Sequence, residues 1–361
     1  DAIIFKTLRA TGELLHDQVK NSAKVLTHKI QRQINKGENP KLSKVFSTGM
    51  FTAATSALFQ SSLANPAKQI NPLDMHSSAL QTTIMGPGGI KSEMQVTDEA
   101  KMINASQFGF IDPLATPEGS STGVSLRLPL GVKKIGEQPH IPLYNLKTKK
   151  TDWVDPVTAF NHKVVLADQV DYKDGVPHAL HKDVRMMGVG NKLEVGKLHD
   201  ADYVMKHPSQ IFNLTSAMVP FVGNDSGNRV SMAVRHMEQA ISLHGREAPL
   251  VQSLSPSGSS FEKVFGHQIA HLSPVEGNVT KVTPKGITVQ AADGKDHFVH
   301  LYDNYPLNDS KSVLHSEAKV KVGDKVGSGQ LIADSNYTRD GHLALGKNLK
   351  VAYMSYHGKN F

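Results

Sequence analysis

Val219-Pro220-Phe221-Val222-Gly223-Asn224-Asp225-Ser226-Gly227-Asn228-Arg229-Val230 opens the stretch that decides how this chain is read. A turn-rich segment hands over to a helix, which the spacing places over residues 228–244. At about 100° per residue, Val230, Val234, Met237 and Ile241 share one side. Arg229, Met232, Arg235, His236 and Gln239 share the opposite side. The apolar row needs a core, which leaves the polar row free to line a cleft. Asp225, just ahead of the helix, is placed to cap it.

Upstream, residues 47–130 are rich in Gly, Ser, Thr and Pro. Gly86-Pro87-Gly88-Gly89 and Thr116-Pro117-Glu118-Gly119 are loop markers. A loop-rich stretch of this length with apolar residues such as Leu73, Phe108 and Phe110 is expected to be functional rather than disordered. Before it, Leu15, Val19, Ala23, Leu26, Ile30 and Ile34 predict an amphipathic packing helix over residues 12–36, with Thr11 as N-cap. Gly37 and Pro40 would stop it. Between this region and the opening stretch, residues 131–215 read as an inserted α+β domain. Strand-like runs there, such as Lys163-Val164-Val165-Leu166, alternate with turns. Downstream, residues 272–361 carry turn signals at Glu276-Gly277, Lys285-Gly286, Asp293-Gly294 and Gly327-Ser328-Gly329, the spacing of a barrel or sandwich. The fold class is therefore α+β and multidomain.

Composition sets limits. The chain has 361 residues, 39% hydrophobic and 20% charged, the make-up of a globular protein of two or three domains. No apolar run approaches the roughly 18 residues of a membrane span, so no membrane is expected among the partners. There is no cysteine, which excludes disulfides and Cys-based zinc sites. The first residues lack signal-peptide character and an initiator Met, which reads as a chain cut or processed from a longer one. The net charge of +7 suits either a polyanion partner or a solvated basic surface. Residues 1–50 concentrate it, with nine Lys or Arg against four Asp or Glu.

Several chemistries find no support. His267-Gln268-Ile269-Ala270-His271 has the spacing of a helical zinc pair, but Gln268 stands where a zinc protease needs Glu. Gly86-Pro87-Gly88-Gly89 lacks the Lys-Ser/Thr of a phosphate loop. No cluster of carboxylates suits two-metal nucleotidyl transfer, so no metal ligand and no catalytic residue is assigned within the chain. Gly323-Asp324-Lys325-Val326, with Gly327 and Leu331, is similar to the closing hairpins of lipoyl and biotinyl carrier domains, and Ser273-Pro274-Val275-Glu276-Gly277 to their opening strand. Residues 280–319 contain neither usual marker of the modified Lys. A carrier or scaffold, or a general basic nucleic-acid-binding module, is the alternative reading.

Taken in order, five blocks resemble the β subunit of multisubunit DNA-dependent RNA polymerases, in its central portion. Ser61-Ser62, Asn71-Pro72-Leu73 and Gly86-Pro87-Gly88-Gly89 resemble the segment holding the rifampicin pocket and a fork loop. Pro113-Leu114-Ala115-Thr116-Pro117-Glu118-Gly119 is similar to the family's Pro-x-Glu-Thr-Pro-Glu-Gly block. Val219-Pro220-Phe221, Asp225, Asn228-Arg229, Met232 and Gln239 resemble the helix beside the incoming nucleotide and the RNA 3′ end. Ile332-Ala333-Asp334, Leu343-Ala344-Leu345-Gly346, Asn348 and Asn360-Phe361 resemble the start of a barrel facing the active site, of double-psi or barrel-sandwich type. The resemblance implies four regions: 1–130 fork and rifampicin-like, 131–215 external, 216–271 active-site helix and connector, and 272–361 hybrid-binding barrel.

It also implies roles. Asp225, Arg229, Met232, Arg235 and Gln239 would meet NTP or RNA, with Arg229 a bidentate donor to the triphosphate. Glu118, Ser121, Gly86, Pro87, Gly88 and Gly89 would form the hybrid and fork loops. Mg²⁺ would be held mainly by a β′-like partner. The other partners implied are the rest of β, template DNA, the RNA–DNA hybrid, NTPs and an initiation factor, in a bacterial cytoplasm or, for a phage enzyme, in the host cell or virion. The sequence departs from the family at several points. Lys68, Ser78, Gln81 and Thr83 replace the usual Asp, His, Arg and Ser of the rifampicin pocket, and Ala115, Ser121, Ser226 and Arg235 replace further family residues. Such divergence resembles the split-subunit polymerases of giant bacteriophages.

Overall fold

Periodicity of two along the strands of residues 133–205 builds the first of two compact units. The computed structural model describes residues 2–36, 49, 52–86, 89–307 and 312–359. Gly37, Pro40, Pro87, Gly88, Asn360 and Phe361 lie outside the described residues. One unit comprises residues 1–66 and 81–211, the other 67–80 and 212–361.

In the first unit a seven-stranded sheet runs in the order Leu193–Gly196, Val184–Met187, Val164–Val165, Tyr203–Met205, Gln138–Asn145 and Lys133–Ile135, with Lys150–Val154 also paired to Gln138–Asn145. Tyr203–Met205 runs parallel to Val164–Val165, whereas it pairs antiparallel with Gln138–Asn145. Successive side chains point to opposite faces, so Ile141, Leu143, Val164 and Met205 enter one core with Phe110. Tyr144, Val165 and Val204 enter another with Val184 and Met186. Both faces of this sheet are therefore apolar, which anchors the loops of residues 84–132.

Helix α1 (Thr11–Asn35) begins one residue from the expected start. Ala10, not Thr11, holds the cap position, and its N–H donates to Glu13 at 2.8 Å. Lys134 also binds Glu13, at 2.5 Å, and chiefly this ion pair holds the Glu13 carboxyl down at about 2. α1 packs against the helix Thr52–Phe59, with Leu15, Val19, Leu26 and Ile30 half-buried, though none of its residues is fully buried. Helix α2 (Thr52–Phe59) follows.

In the second unit, helix α3 (Pro72–Ala79) starts at Asn71, whose side chain accepts from the Asp74 N–H at 3.1 Å. Proline at the first helical position costs no hydrogen bond, since that amide has no helical partner. Helices α4 (Leu214–Met218), α5 (Gly227–Gln239) and α6 (Phe261–Ile269) complete the helical part. His267 is on α6, while His271 has passed into the strand His271–Leu272.

Residues 271–343 form small sheets. Asp296–His300, Gly286–Ala291, Gly277–Thr283 and Lys325–Val326 make a four-stranded sheet, and His271–Leu272, Leu331–Ser335 and Ser316–Ala318 a three-stranded one. Val279, Ile287 and Val289 of the first share a core with Ile332 and Ala333 of the second. The strand pairing does not close into a ring among the described residues: beside these two sheets over a common core there are two further strand pairs, Tyr305–Pro306 with Val313–Leu314 and Thr338–Arg339 with His342–Leu343.

Beside that core, Asp334 is fully buried. It accepts from the Thr338 hydroxyl at 2.8 Å and from the N–H groups of Asp340 and Gly341 at 2.8 and 3.0 Å, with Lys319 at 3.2 Å. Burial by itself would raise its pKa. The donors, led by Gly341 and Thr338, outweigh burial and lower it. Arg246, 4% exposed, donates to the Thr338 and Ser335 carbonyls, both at 2.8 Å, and to Glu317.

Candidate nucleotide and nucleic-acid interface

The two groups of residues singled out in the sequence belong to different units. In the second unit, α5 is anchored by Val230 and Val234, both buried. Arg229, Met232, His236 and Gln239 are exposed on its other side and Arg235 is half-buried, as the spacing required. The helix is shorter than the expected 228–244. It stops at Gln239, and Ile241 is 65% exposed instead of joining the apolar row. Ala240 leaves helical geometry at ψ 131°.

Asp225 does not cap α5 in the expected manner. Ser226 takes the cap position without a side-chain bond, and the Asp225 carboxylate accepts only from the neighbouring Ser226 N–H, at 2.7 Å. Arg229 donates to the Met232 sulfur at 3.5 Å. Neither Arg229 nor Arg235 makes an ion pair among the described residues, so both guanidinium groups retain donors for an anionic ligand. Just before the helix, Phe221 has φ +57° and is 71% exposed. A bulky residue in the left-handed region is strained by about 1 kcal/mol or more, and here it is an exposed aromatic six residues before the first turn of α5.

The loops of the first unit are tightly tied. Gly86 has φ +104°, and a Cβ there would meet Leu63 at 2.9 Å. Gly89 donates to the Gly86 carbonyl at 2.9 Å, and a Cβ on Gly89 would lie 2.3 Å from the Ile84 carbonyl oxygen. Downstream, buried Asp112 accepts from the Leu114 and Ala115 N–H groups at 2.7 and 3.2 Å. The Thr116 hydroxyl donates to the Ser125 carbonyl at 3.1 Å and accepts from Gly123 at 2.9 Å. Glu118 sits at the tip of this stitched loop, exposed, without an ion pair among the described residues. Ser121 is engaged differently, donating to Glu93 at 2.5 Å. Hydrogen bonds from Ser120 and then Ser121 lower the Glu93 pKa.

The four residues expected at an altered drug pocket divide between the units. Lys68 is exposed and Ser78 donates to Asp74 at 3.4 Å, both in the second unit. Gln81 is exposed on the strand Gln81–Thr83, and Thr83 accepts from the Met85 N–H at 3.1 Å, both in the first. Among the described residues, no three His, Asp or Glu side chains are grouped to hold a metal ion, so no step is assigned to a metal on this chain. No described helix is long and apolar enough to cross a membrane.

Sequence reasoning missed the bracing residues. Glu93 and Arg246 act through partners 28 and up to 92 positions away, which no local pattern marks, whereas Asp112 before Pro113 forms a local turn that this dipeptide signals. Asn71 was legible in part, since Asn before Pro at a helix start is a capping signal.

Comparison with known proteins gives these surfaces their context. Residues 66–131 match the family described as RNA polymerase Rpb2, domain 3. Beyond that segment, 99% of the chain aligns at 29% identity with the DNA-directed RNA polymerase subunit beta of Prochlorococcus marinus strain MIT 9301, covering 32% of that protein. The corresponding subunit of Caldicellulosiruptor saccharolyticus aligns at 27% identity over 99% of the chain and 29% of its own length. The chain is thus related, over almost all of its length, to about a third of an RNA polymerase β subunit. The carrier reading finds no support among these relatives.

Proposed function

We propose that the chain forms the central part of a β subunit in a DNA-directed RNA polymerase, a nucleotidyltransferase to which it contributes positioning rather than metal ligation. The observation that carries this is α5: a helix held from behind by two buried valines, presenting Arg229, Met232 and Gln239 to solvent. Arg229 binds the NTP triphosphate and stabilises charge developing in the transition state. Gln239 hydrogen-bonds RNA near its 3′ end, while Met232 and Arg235 complete the face. Asp225 orients the turn entering it.

Glu118 and the Gly86–Gly89 loop meet the hybrid and the downstream fork by backbone and shape, without reading sequence. Ser121 braces the Glu118 loop through Glu93. The four regions 1–130, 131–215, 216–271 and 272–361 serve as fork region, external domain, active-site connector and start of the hybrid-binding barrel. A β′-like chain supplies the Mg²⁺ ligands, and the remaining β portion, template DNA, RNA and an initiation factor complete the assembly in the bacterial cytoplasm. The departures at Lys68, Ser78, Gln81 and Thr83 favour a phage-encoded enzyme.

The test is Arg229→Ala in the assembled polymerase. Elongation should fall by about a hundredfold, the scale of one preorganised donor, while subunit assembly is retained. Assembly lost to the same degree as elongation would make Arg229 a structural residue instead.

A further inference from the structure

Asn71 is 1% exposed and uses both ends of its side chain. Its carbonyl oxygen caps the start of α3 through the Asp74 N–H at 3.1 Å. Its amide nitrogen lies 2.9, 3.0 and 2.8 Å from the carbonyl oxygens of Met237, Glu238 and Ala240. An amide has two hydrogens, so one is shared among these three acceptors. The carbonyls at a helix C-terminus have no partner within the helix, and one buried side chain gathers those on both sides of Gln239. Immediately beyond, Ala240 turns to ψ 131°. Gln239 therefore stands on the last residue of a helix whose terminal carbonyls are gathered by Asn71, 166 to 169 positions away.

We propose that Asn71 is a positioning residue for Gln239: it fixes where α5 ends, and thereby where the Gln239 side chain meets its ligand. This rests on the reading of α5 as the face presented to NTP and RNA. Every part of the arrangement lies in the second unit. The coupling is directional. Loss of the Asn71 amide releases the C-terminal turn that carries Gln239, whereas Arg229, near the N-terminus, is still held by Val230 and Val234. RNA 3′-end alignment should suffer before triphosphate binding does.

The experiment uses the assembled polymerase with a primed template. Asn71→Ser keeps a capping oxygen for α3 and removes the amide. Its maximal elongation rate should fall about tenfold, as displacement of a positioning group does, with the KM for NTP changed by no more than about twofold. Asn71→Asp, of the same size, turns the donor into an acceptor and should reproduce the loss if Asn71→Ser folds poorly. Gln239→Ala should cost a similar factor, and adding Asn71→Ser to it should cost little more, because the two act through one contact. Wild-type elongation by both Asn71 variants, or losses that multiply in the double variant, would overturn the positioning role. Arg229→Ala and Gln239→Ala separate the two levels. Normal elongation by both removes the reading of α5, and this inference with it. Impaired elongation by both, beside normal Asn71 variants, removes this inference alone.

Discussion

Lys68, Ser78, Gln81 and Thr83 stand where the resembling family carries Asp, His, Arg and Ser around its drug pocket. Replacing a partner so that a buried polar group goes unmet costs about 1–3 kcal/mol each. Two such losses weaken binding by at least about thirtyfold. Transcription by the assembled enzyme should therefore resist rifampicin, and the combination Lys68→Asp, Ser78→His and Gln81→Arg should restore sensitivity. Inhibition of the unaltered enzyme at ordinary drug concentrations would refute this. These four positions were singled out by the family resemblance. Ser121 was not fully legible: its partner Glu93 lies 28 residues upstream and only the folded loop brings them together. Phe221 was readable as a member of a block, but not as a left-handed residue, because that conformation opposes its intrinsic preference and is imposed by its surroundings.

At the scale of elements, the turn joining Leu331–Ser335 to Thr338–Arg339 is organised around one carboxylate. Asp334 binds the Thr338 hydroxyl, two backbone N–H groups and Lys319. Its folded pKa is lowered, so its contribution is fully present above the unfolded carboxylate pKa of about 4 and is lost as pH falls through the folded value. Thermal melts of the chain should show an acid limb below about pH 4 that flattens in Asp334→Asn. An unchanged acid limb would mean that other carboxylates dominate. Helix α5 shows how element boundaries escape sequence. Its period was plain, yet the apolar row continued through Ile241 while the helix stopped at Gln239, because Asn71 competes for the terminal carbonyls. Helix α1 differs the other way: its stripe is well formed and meets α2, yet among the described residues none of it is fully buried.

At the scale of the whole molecule, the chain spans about a third of the relatives it matches, 32% in one case. The run Leu349, Val351, Tyr353 alternates along extended chain, followed by Met354 and Tyr356, and all five are exposed, Tyr353 completely. Apolar residues at alternate positions suit a strand that adds to another sheet. In the assembled enzyme, the remaining β portion should cover them. Leu349→Asp with Tyr353→Asp should weaken co-assembly at least about tenfold, since burying unpaired charge is costly, while leaving the melting temperature of the isolated chain unchanged. A lowered melting temperature would place these side chains in the chain's own core.

Composition, period and ordered blocks determined by themselves the mixed fold class, the polar face of α5, the loop markers and the kinship with polymerase β subunits. Those are properties of residue type and spacing, which local chemistry expresses directly. Only the tertiary structure decided which loops are stitched, where α5 ends, and which polar residues are buried. The end of α5 and the Glu93–Ser121 stitch depend on contacts 28 to 169 positions apart, and burial depends on the packing of the whole unit. Among the described residues the barrel expected of residues 272–361 is seen as small separate sheets, two of them over a shared core, for the same reason: turn spacing predicts strands, while their pairing is settled by long-range packing.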